Sequence, residues 1–195
     1  MVLVKICGLM SPKDISAVNV GQADFAGFVF APSRHQITLK DALRLKSLLN
    51  PEIRTVGVFV NESVKTILRF YKAGAIDLAQ LHSKPNPDKI KKLQRAGLKV
   101  IQVFENRSID VSCRADYLMV DSGKGSGRLL NLKAIPHINR PLILAGGLNG
   151  QNIHQAISVA SPAVVDVSSG VETAGQKDPK KIKQFIKKAK EKVIL

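Results

Sequence analysis

A thiol and a carboxyl group each stand at the end of an otherwise apolar run in this sequence. Cys7 closes the run at residues 2–7 and precedes a glycine, and Asp121 closes the run at residues 117–121. A buried cysteine is ordinarily a small hydrophobe, but a thiol near a helix N-terminus can be stabilised as the thiolate. A carboxylate in such a place is either paired or functional. Both residues are therefore candidates for chemistry, whereas Cys113, in a connecting segment, is predicted to be structural.

Two small glycine-containing segments are suited to holding an anion. Gly146 and Gly147 follow one apolar run, and Ser168, Ser169 and Gly170 follow the next. Glycine lets a ligand approach the backbone closely, and backbone N–H groups in such turns bind phosphate. Each segment alone is a weak signal, but the pair favours a phosphorylated ligand.

The elements that must position these residues alternate along the whole chain. Short β-rich runs are followed by helical patterns, eight times in all. The predicted strands cover residues 2–7, 25–30, 54–60, 76–81, 99–103, 117–121, 141–145 and 163–167. The predicted helix starts are Ser11-Pro12, Thr38, Asn61, Asn86-Pro87, Asn149 and Asp178-Pro179. After strands five and six, only a weakly helical stretch at 106–114 and a brief apolar turn at 129–135 are expected.

Eight βα units predict an α/β protein, a single (β/α)8 TIM barrel with degenerate helices after strands five and six, forming one domain over residues 1–195. A doubly wound sheet is the alternative, but it normally has about five or six strands, and no G-x-G-x-x-G follows the first strand. In a barrel, working groups lie at the C-terminal ends of the strands, and the loops after strands seven and eight often bind phosphate. Cys7 and Asp121 would then face one ligand from two sides.

Lys5 is predicted to share the inward face with Cys7, because side chains two residues apart in a strand point the same way. Strands one and eight are neighbours in a closed barrel, so Asp166 is the expected partner of Lys5. An isolated charge there would be costly. The alternative is that Lys5 extends along the barrel axis and meets only water.

The composition favours an ordinary globular protein with a basic exterior. The formal charge is +15, from 30 Lys+Arg against 15 Asp+Glu, and aromatic residues are only 5% of the chain. Eight lysines between residues 177 and 192 alternate with an apolar helical stripe, which indicates a solvated helix face rather than a nucleic-acid surface. Two cysteines, no signal peptide and no apolar run of about 18 residues predict a cytoplasmic protein with reduced thiols and no membrane partner.

The four histidines give no spacing typical of a metal site. His137 and His154 are expected at the surface. His82 follows the fourth strand and could touch a ligand, but a loop histidine without partners is usually only solvated.

With these residues in place, the chain resembles the phosphoribosylanthranilate isomerase family of tryptophan biosynthesis, nearly end to end. The matching segments, in chain order, are Val4-Lys5-Ile6-Cys7-Gly8, Gly27-Phe28-Val29-Phe30, Val56-Gly57-Val58-Phe59-Val60-Asn61, Gln80-Leu81-His82, Asp121 with Gly125-Ser126-Gly127, Leu144-Ala145-Gly146-Gly147-Leu148-Asn149, and Val165-Asp166-Val167-Ser168-Ser169-Gly170-Val171-Glu172.

The resemblance implies an Amadori rearrangement of N-(5′-phosphoribosyl)anthranilate without cofactor or metal, in a monomer or homodimer. It implies that Asp121 is the general acid that opens the ribose ring and that Cys7 is the general base that takes the C2′ proton. The phosphate of this small phosphosugar would lie on the two glycine-containing loops. Gln80 and Asp166 are the remaining substrate-binding residues that the resemblance implies.

One position departs from the family pattern. The family usually has an arginine near the end of the loop after strand two, where it meets the anthranilate carboxylate. In this chain His35 aligns with that arginine and Arg34 precedes it. Arginine's bidentate fork is not replaced equivalently by histidine, so either Arg34 takes the contact or His35 binds more weakly. The charge favours Arg34.

Three other functions are compatible with parts of the pattern. The first is the related aminoaldose isomerase of histidine synthesis, which uses two aspartates and a two-fold repeated chain. The second is a nucleic-acid-binding protein, suggested by the +15 charge alone. The third is a barrel that has kept the fold and lost the reaction, which the histidine at position 35 keeps open. Cys7 and the lack of a clear internal repeat argue against the first of these.

Overall fold

The eight predicted strands form one closed parallel barrel in the computed structural model, which describes residues 1–105, 109–121, 138 and 140–191. The strands are β1 (Leu3–Cys7), β2 (Phe25–Val29), β3 (Arg54–Phe59), β4 (Leu78–Leu81), β5 (Lys99–Glu105), β6 (Tyr117–Asp121), β7 (Leu142–Leu144) and β8 (Val164–Val167). Each strand pairs in parallel with the next, and β8 closes the barrel against β1. The predicted TIM barrel is confirmed, and the doubly wound alternative is wrong.

Within the described ranges, six α-helices connect or follow these strands. They are α1 (Pro12–Gly21), α2 (Leu39–Lys46), α3 (Val64–Lys72), α4 (Pro87–Arg95), α5 (Ile153–Ala160) and α6 (Pro179–Lys190). None of them is long and apolar enough to cross a membrane.

Four of the predicted helix caps are confirmed. Ser11 and Thr38 form capping boxes with the acid three residues later, and Asn86 and Asp178 accept backbone N–H bonds at the starts of α4 and α6.

Two predicted caps are wrong by two or three residues. The cap of α3 is Ser63, whose side chain accepts the Thr66 N–H, and not Asn61. At α5 the cap position is Asn152, while the Asn149 side chain accepts the N–H groups of residues 151 and 152 in the turn before the helix. Both errors arise because several polar residues in a row can each cap a helix, and tertiary packing selects one.

The weakly helical stretch predicted at 106–114 is not found in its described part, residues 109–114. The described residues between β5 and β6, 109–116, contain a turn and no helix. Residues 106–108, the predicted turn at 129–135, the Gly125-Ser126-Gly127 motif and His137 lie outside the described residues.

Two layers of apolar side chains follow from the alternation along each strand. Inside the barrel lie side chains such as Phe25, Leu78, Ile101 and Met119, all of them buried. A second, larger layer fills the space between the strands and the helices, and it includes Cys113, which confirms the structural prediction for that residue. Because Leu78 faces inward, Gln80 two residues later also faces inward. The same period directs Lys5 and Cys7 of β1, Asp121 of β6 and Asp166 of β8 into the barrel.

A short hairpin follows β8 that the sequence analysis does not include. After a 3-10 turn at Ser169–Val171, strand β9 (Glu172–Thr173) pairs antiparallel with β10 (Gln176–Lys177). Its turn places Ala174 and Gly175 in left-handed backbone conformations, with φ of 50° and 77°. The hairpin brings Glu172 opposite Lys177 at the rim of the barrel.

Candidate active site

A cavity of about 370 Å³ opens at the C-terminal rim of the barrel. It is lined by the loops after β2, β7 and β8 and by the end of β6. Nine of the eleven predicted site residues line it, namely Arg34, His35, Asp121, Gly146, Gly147, Asp166, Ser168, Ser169 and Gly170. Cys7 and Gln80 are not lining residues but are buried next to it on inward-facing strand positions, with 8% and 2% of their surface exposed.

The predicted pair of Lys5 and Asp166 is confirmed. Lys5 Nζ lies 2.9 Å from Asp166 Oδ1, and both side chains are buried. The register of β1 against β8 places the two residues directly side by side. Burial alone would lower the pKa of Lys5, but the Asp166 carboxylate and the neighbouring Cys7 outweigh it, and the pKa is raised. The pair therefore favours the cationic form of Lys5 in the barrel interior.

The Cys7 thiol lies between this ion pair and the neighbouring strand. An added Cβ on Gly27 of β2 would come within 2.9 Å of Cys7 Sγ, so only glycine leaves the thiol its space. Lys5 lies two residues earlier on the same face of β1, and its charge acts on the thiol. Burial raises the pKa of Cys7, while the charge of Lys5 opposes that rise without cancelling it.

Gln80 carries a buried amide oxygen without a partner. Its Oε1 accepts no hydrogen bond from any described residue, although the side chain is almost fully buried inside the barrel. A buried acceptor without a hydrogen bond lowers the stability of the fold by about 1–3 kcal/mol. An inward-facing, unsatisfied amide at the cavity end of β4 is suited to accept a hydrogen bond from a hydroxyl group of a ligand.

The two predicted phosphate loops lie against each other. Gly146 and Gly147 have left-handed backbone conformations, with φ of 89° and 63°, which residues other than glycine rarely adopt. Gly170 approaches the other loop so closely that an added Cβ would lie 1.9 Å from the Leu148 carbonyl oxygen. Among the described residues, the backbone N–H groups of Gly147, Ser169 and Gly170 have no acceptor. The three residues line the cavity, and backbone N–H groups without an acceptor are suited to bind an anion there.

Arg34 and His35 both bind the carboxylate of Glu172, a residue to which the sequence gives no role. Arg34 Nη2 lies 2.6 Å from Glu172 Oε2, and His35 Nε2 lies 3.0 Å from Glu172 Oε1. Lys177 Nζ also lies 2.6 Å from Glu172 Oε1. Burial would raise the pKa of Glu172, but the hydrogen bond and charge of Lys177 outweigh it and lower the pKa. Glu172 is thus an ionised carboxylate that binds three side chains.

His35 is neutral in this arrangement. Burial lowers its pKa, and the charges of Lys177 and Arg34 lower it further against the opposing effect of Glu172. Because a carboxylate only accepts, the neutral ring donates from Nε2 to Glu172 and keeps a lone pair on Nδ1. Arg34 uses Nη2 for Glu172 and is 58% exposed at its side chain, so it keeps further N–H donors for a ligand.

The expectation that His82 is merely solvated is wrong. Its Nε2 lies 3.8 Å from Asp121 Oδ2, and its Nδ1 lies 4.0 Å from Glu105 Oε1. The interaction with Asp121 raises the pKa of His82 despite its partial burial, and Glu105 adds to the rise. Gln102 fixes the same loop by donating from Nε2 to the Ser83 carbonyl oxygen at 2.7 Å. His154, by contrast, is half-exposed, as predicted.

The sequence motif that ends at Glu172 gives this residue no role and does not include Lys177, because the contact between the two depends on the hairpin. The turn residues Ala174-Gly175 lack the Asn-Gly or Asp-Gly signal that marks a tight hairpin. The one available signal is an acid and a base at the two ends of a six-residue segment that contains a glycine. In the described residues, no three His, Cys, Asp or Glu side chains are grouped so that they could hold a metal ion.

The comparisons with known proteins agree with this geometry. The family model described as N-(5′-phosphoribosyl)anthranilate (PRA) isomerase matches residues 4–188. An N-(5′-phosphoribosyl)anthranilate isomerase of Lacticaseibacillus casei (strain BL23) is 69% identical over 194 residues, covering 100% of this chain and 98% of the relative.

Two solved structures are similar over nearly the whole chain. A phosphoribosyl anthranilate isomerase in complex with reduced 1-(o-carboxyphenylamino)-1-deoxyribulose 5-phosphate superposes with a TM-score of 0.83 at 36% identity, covering 97% of this chain and 99% of the other. A structure of monomers generated from the dimeric Thermotoga maritima enzyme gives 0.86 at 33% identity, with the same coverage. The barrel, the site at its rim and these similarities together show that the chain belongs to the N-(5′-phosphoribosyl)anthranilate isomerase family.

Proposed function

We propose that Asp121 and Cys7 are the general acid and the general base of the isomerisation that defines this family. The activity is the conversion of N-(5′-phosphoribosyl)anthranilate to 1-(o-carboxyphenylamino)-1-deoxyribulose 5-phosphate, a step of tryptophan biosynthesis. The observation that supports these roles is the inward position of both residues, at the ends of β1 and β6 of one barrel, beside two loops with unpaired backbone donors. In the proposed complex, the ribose lies between them.

Two anchors fix the substrate. The phosphate lies on the loops of Gly146-Gly147 and Ser168–Gly170, where N–H groups donate to it. Ser168 Oγ accepts a hydrogen bond from Lys177, so its own proton remains free for a phosphate oxygen. At the other end, Arg34 donates to the anthranilate carboxylate. A relative has been solved with the reduced form of the proposed product, which supports binding of this class of phosphosugar.

The first chemical step opens the ribose ring. Asp121 donates a proton to the ring oxygen, the C1′–O bond breaks, and the nitrogen lone pair forms a C1′=N double bond. The Asp121 carboxylate raises the pKa of His82, so loss of the Asp121 proton favours the His82 cation, which stabilises the carboxylate that this step leaves behind. Holding the acid in place is what turns a slow solution reaction into a fast one.

The second step moves a proton from carbon to sulfur. The Cys7 thiolate takes the proton from C2′. The electron pair of the C2′–H bond forms the C1′=C2′ double bond, and the second pair of the C1′=N bond returns to nitrogen, which gives an enolamine. This intermediate then tautomerises to the ketone, with a proton added at C1′ and lost from the C2′ hydroxyl. The charge of Lys5 favours the thiolate that this step requires. The family reaction needs no cofactor, and we propose none.

The proposed setting is the cytoplasm, where a thiol such as Cys7 stays reduced. The proposed partner is the small phosphosugar alone, with neither nucleic acid nor membrane. The chain works as a monomer or homodimer in this proposal. The dimeric Thermotoga maritima relative supports the second state.

The experiment is a comparison of the two isosteric variants with the parent chain. Cys7→Ser and Asp121→Asn each remove one proton-transfer partner, which typically contributes about 10²–10⁴-fold to the rate. Turnover of N-(5′-phosphoribosyl)anthranilate should fall by that range in each variant. Competitive inhibition by inorganic phosphate should stay within about threefold of the parent, because the loops are untouched. Near-normal turnover in either variant would refute the role of that residue.

A further inference from the structure

Lys177 and Glu172 form a buried ion pair that no step of the proposed reaction uses. Their side chains are 2% and 5% exposed, and Nζ lies 2.6 Å from Oε1. They stand opposite each other on β10 and β9. A buried pair of this kind is kept only if other contacts satisfy both charges, so the partners of each residue show what the pair does.

Lys177 holds the proposed phosphate loop. Its ammonium donates to the Ser168 carbonyl oxygen at 3.0 Å and to Ser168 Oγ at 3.2 Å. With Glu172 as the third acceptor, all three N–H donors of the lysine are used. The cation therefore fixes both the backbone and the hydroxyl of Ser168, the first residue of that loop.

Glu172 holds the proposed carboxylate-binding loop on the other side of the rim. Its Oε2 binds Arg34 at 2.6 Å and its Oε1 binds His35 at 3.0 Å. The other hydrogen bonds of this loop are local: Gln36 donates to the Ser33 and Phe30 carbonyl oxygens, and the His35 N–H donates to Ser33 Oγ. Among the described residues, Glu172 is thus the hydrogen-bonding partner that connects the tip of the loop to the rest of the rim.

These contacts form one continuous chain of side chains from Ser168 through Lys177 and Glu172 to Arg34. We propose that Lys177 and Glu172 are positioning residues that set the spacing between the phosphate loop and Arg34, and so select substrates that carry both a phosphate and a carboxylate at that spacing. This inference rests on the proposed function for the location of the two subsites. Neither residue touches the substrate; each acts through Ser168 or Arg34.

The test replaces Lys177 by Met and compares it with Lys183→Met. Both variants lose one positive charge, but Lys183 lies on the exposed face of α6. The measurements are kcat and KM for N-(5′-phosphoribosyl)anthranilate and the inhibition constants of two probes, inorganic phosphate and anthranilate. We expect Lys177→Met to raise KM and both inhibition constants at least tenfold, with kcat within about threefold of the parent. Lys183→Met removes one exposed, screened charge and should leave all four values within about twofold of the parent.

A third variant separates a link between subsites from the loss of one of them. Arg34→Ala should weaken anthranilate inhibition at least tenfold and leave phosphate inhibition unchanged, because it removes one end of the chain only. Glu172→Gln keeps the side-chain size but removes the negative charge and replaces one acceptor oxygen by an NH₂ donor, which would face the N–H donors of either Lys177 or Arg34. It should weaken both probes, and it serves as the second variant should Lys177→Met fail to fold.

If Lys177→Met and Glu172→Gln both fold and both keep the parent's inhibition constant for phosphate, the proposal is overturned. A fall in kcat with KM unchanged in these variants would also overturn it. Binding of inorganic phosphate is also measured by calorimetry without substrate. A parent chain that binds phosphate but does not turn over the substrate would refute the proposed function, while the effect of Lys177→Met on phosphate binding would still decide the positioning role.

Discussion

The charge nearest to the proposed base is the ammonium of Lys5, and it is held in place by Asp166. Desolvation favours the neutral thiol of Cys7, and the cation favours the thiolate. Since the pKa of Cys7 remains raised, the free enzyme carries the protonated thiol at neutral pH. The fraction of thiolate then grows about tenfold for each unit by which the pH rises toward that pKa.

This balance predicts an alkaline titration for Cys7. In a Cys113→Ala background, the ultraviolet absorbance of the Cys7 thiolate should develop with a midpoint above the ordinary thiol value of about 8.5. The Cys7→Ser, Cys113→Ala double variant gives the baseline for tyrosine ionisation. A thiolate already formed at neutral pH would mean that the charge of Lys5 outweighs burial and lowers the pKa of Cys7, the opposite of the expected direction.

The proposed contact of the anthranilate carboxylate with Arg34 rather than His35 has a chemical reason. A neutral imidazole that donates to Glu172 offers only a lone pair to a second carboxylate, which repels it. Arg34 has five N–H donors, and one of its nitrogens serves Glu172. The structure thus gives a reason for the charge-based preference for Arg34 that the sequence alone suggested.

Arg34 and His35 can therefore be told apart by kinetics. A hydrogen bond between charged groups contributes about 1.5–3 kcal/mol, so Arg34→Ala should raise KM for the substrate by about 10–100-fold. His35→Gln keeps a donor for Glu172 and should change KM less than threefold. A larger effect at His35 than at Arg34 would reverse the assignment, and equal small effects would refute both.

At the scale of elements, the loops after β7 and β8 act as one unit because Gly170 packs on the carbonyl group of Leu148. Backbone against backbone leaves no flexible side chain to move aside. Gly170→Ala should therefore push the loops apart, weaken inhibition by inorganic phosphate at least tenfold, and raise KM.

Gly150→Ala provides the matched control for that substitution. It lies in the loop after β7, its added Cβ meets nothing within 4 Å, and its backbone is not left-handed. Its phosphate inhibition and thermal stability should match those of the parent. Tight phosphate binding by Gly170→Ala would show that the two loops do not form the site together.

Which elements can be predicted from the sequence follows from how local their causes are. The strands and most caps depend on short-range patterns, so Ser11, Thr38, Asn86 and Asp178 are predicted correctly as caps. The predicted cap of α3 is misplaced because residues 61–63 are all polar, and the Glu62 carboxylate instead accepts the Val60 N–H at 2.7 Å. Local sequence does not decide between such neighbours.

The candidate site can be predicted to the extent that barrel closure determines it. Period-two alternation and the neighbourhood of β1 and β8 are sufficient to pair Lys5 with Asp166. The Glu172 cluster could not be predicted, because it needs a two-residue hairpin with an Ala-Gly turn to meet a loop about 140 residues earlier in the chain. The contacts of His82 escape prediction for a similar reason, since its partners come from the ends of two other strands.

Part of the positive charge of the molecule is carried by side chains that make hydrogen bonds within the fold. Several lysines of α6 donate to loop carbonyl groups: Lys181 to Glu172, Lys188 to Gly150 and Lys190 to Gln22, at 2.7–2.8 Å. The net charge of +15 is opposite in sign to that of a substrate with a phosphate and a carboxylate. A field of this sign raises the local concentration of such an anion.

The kinetics should consequently depend on salt. Between about 0.01 M and about 1 M ionic strength, the Debye length falls from about 30 Å to about 3 Å, which screens the field but not the contacts inside the site. KM for the substrate should rise several-fold over this range in sodium chloride, and kcat should stay constant. A salt-independent KM would show that the basic exterior plays no part in capturing the substrate.

A charge-reversal variant distinguishes this field effect from competition by chloride, and both from a nucleic-acid role. Lys183→Glu with Lys187→Glu, both on the exposed face of α6, lowers the net charge from +15 to +11, since each substitution changes it by two. Its KM should exceed that of the parent at low salt and equal it at high salt, whereas chloride competition would leave the two chains alike throughout. Non-specific DNA binding at physiological salt is typically no tighter than about 10⁻⁶ M. A duplex oligonucleotide that bound more tightly than this at physiological salt, and that inhibited turnover, would instead favour a nucleic-acid partner.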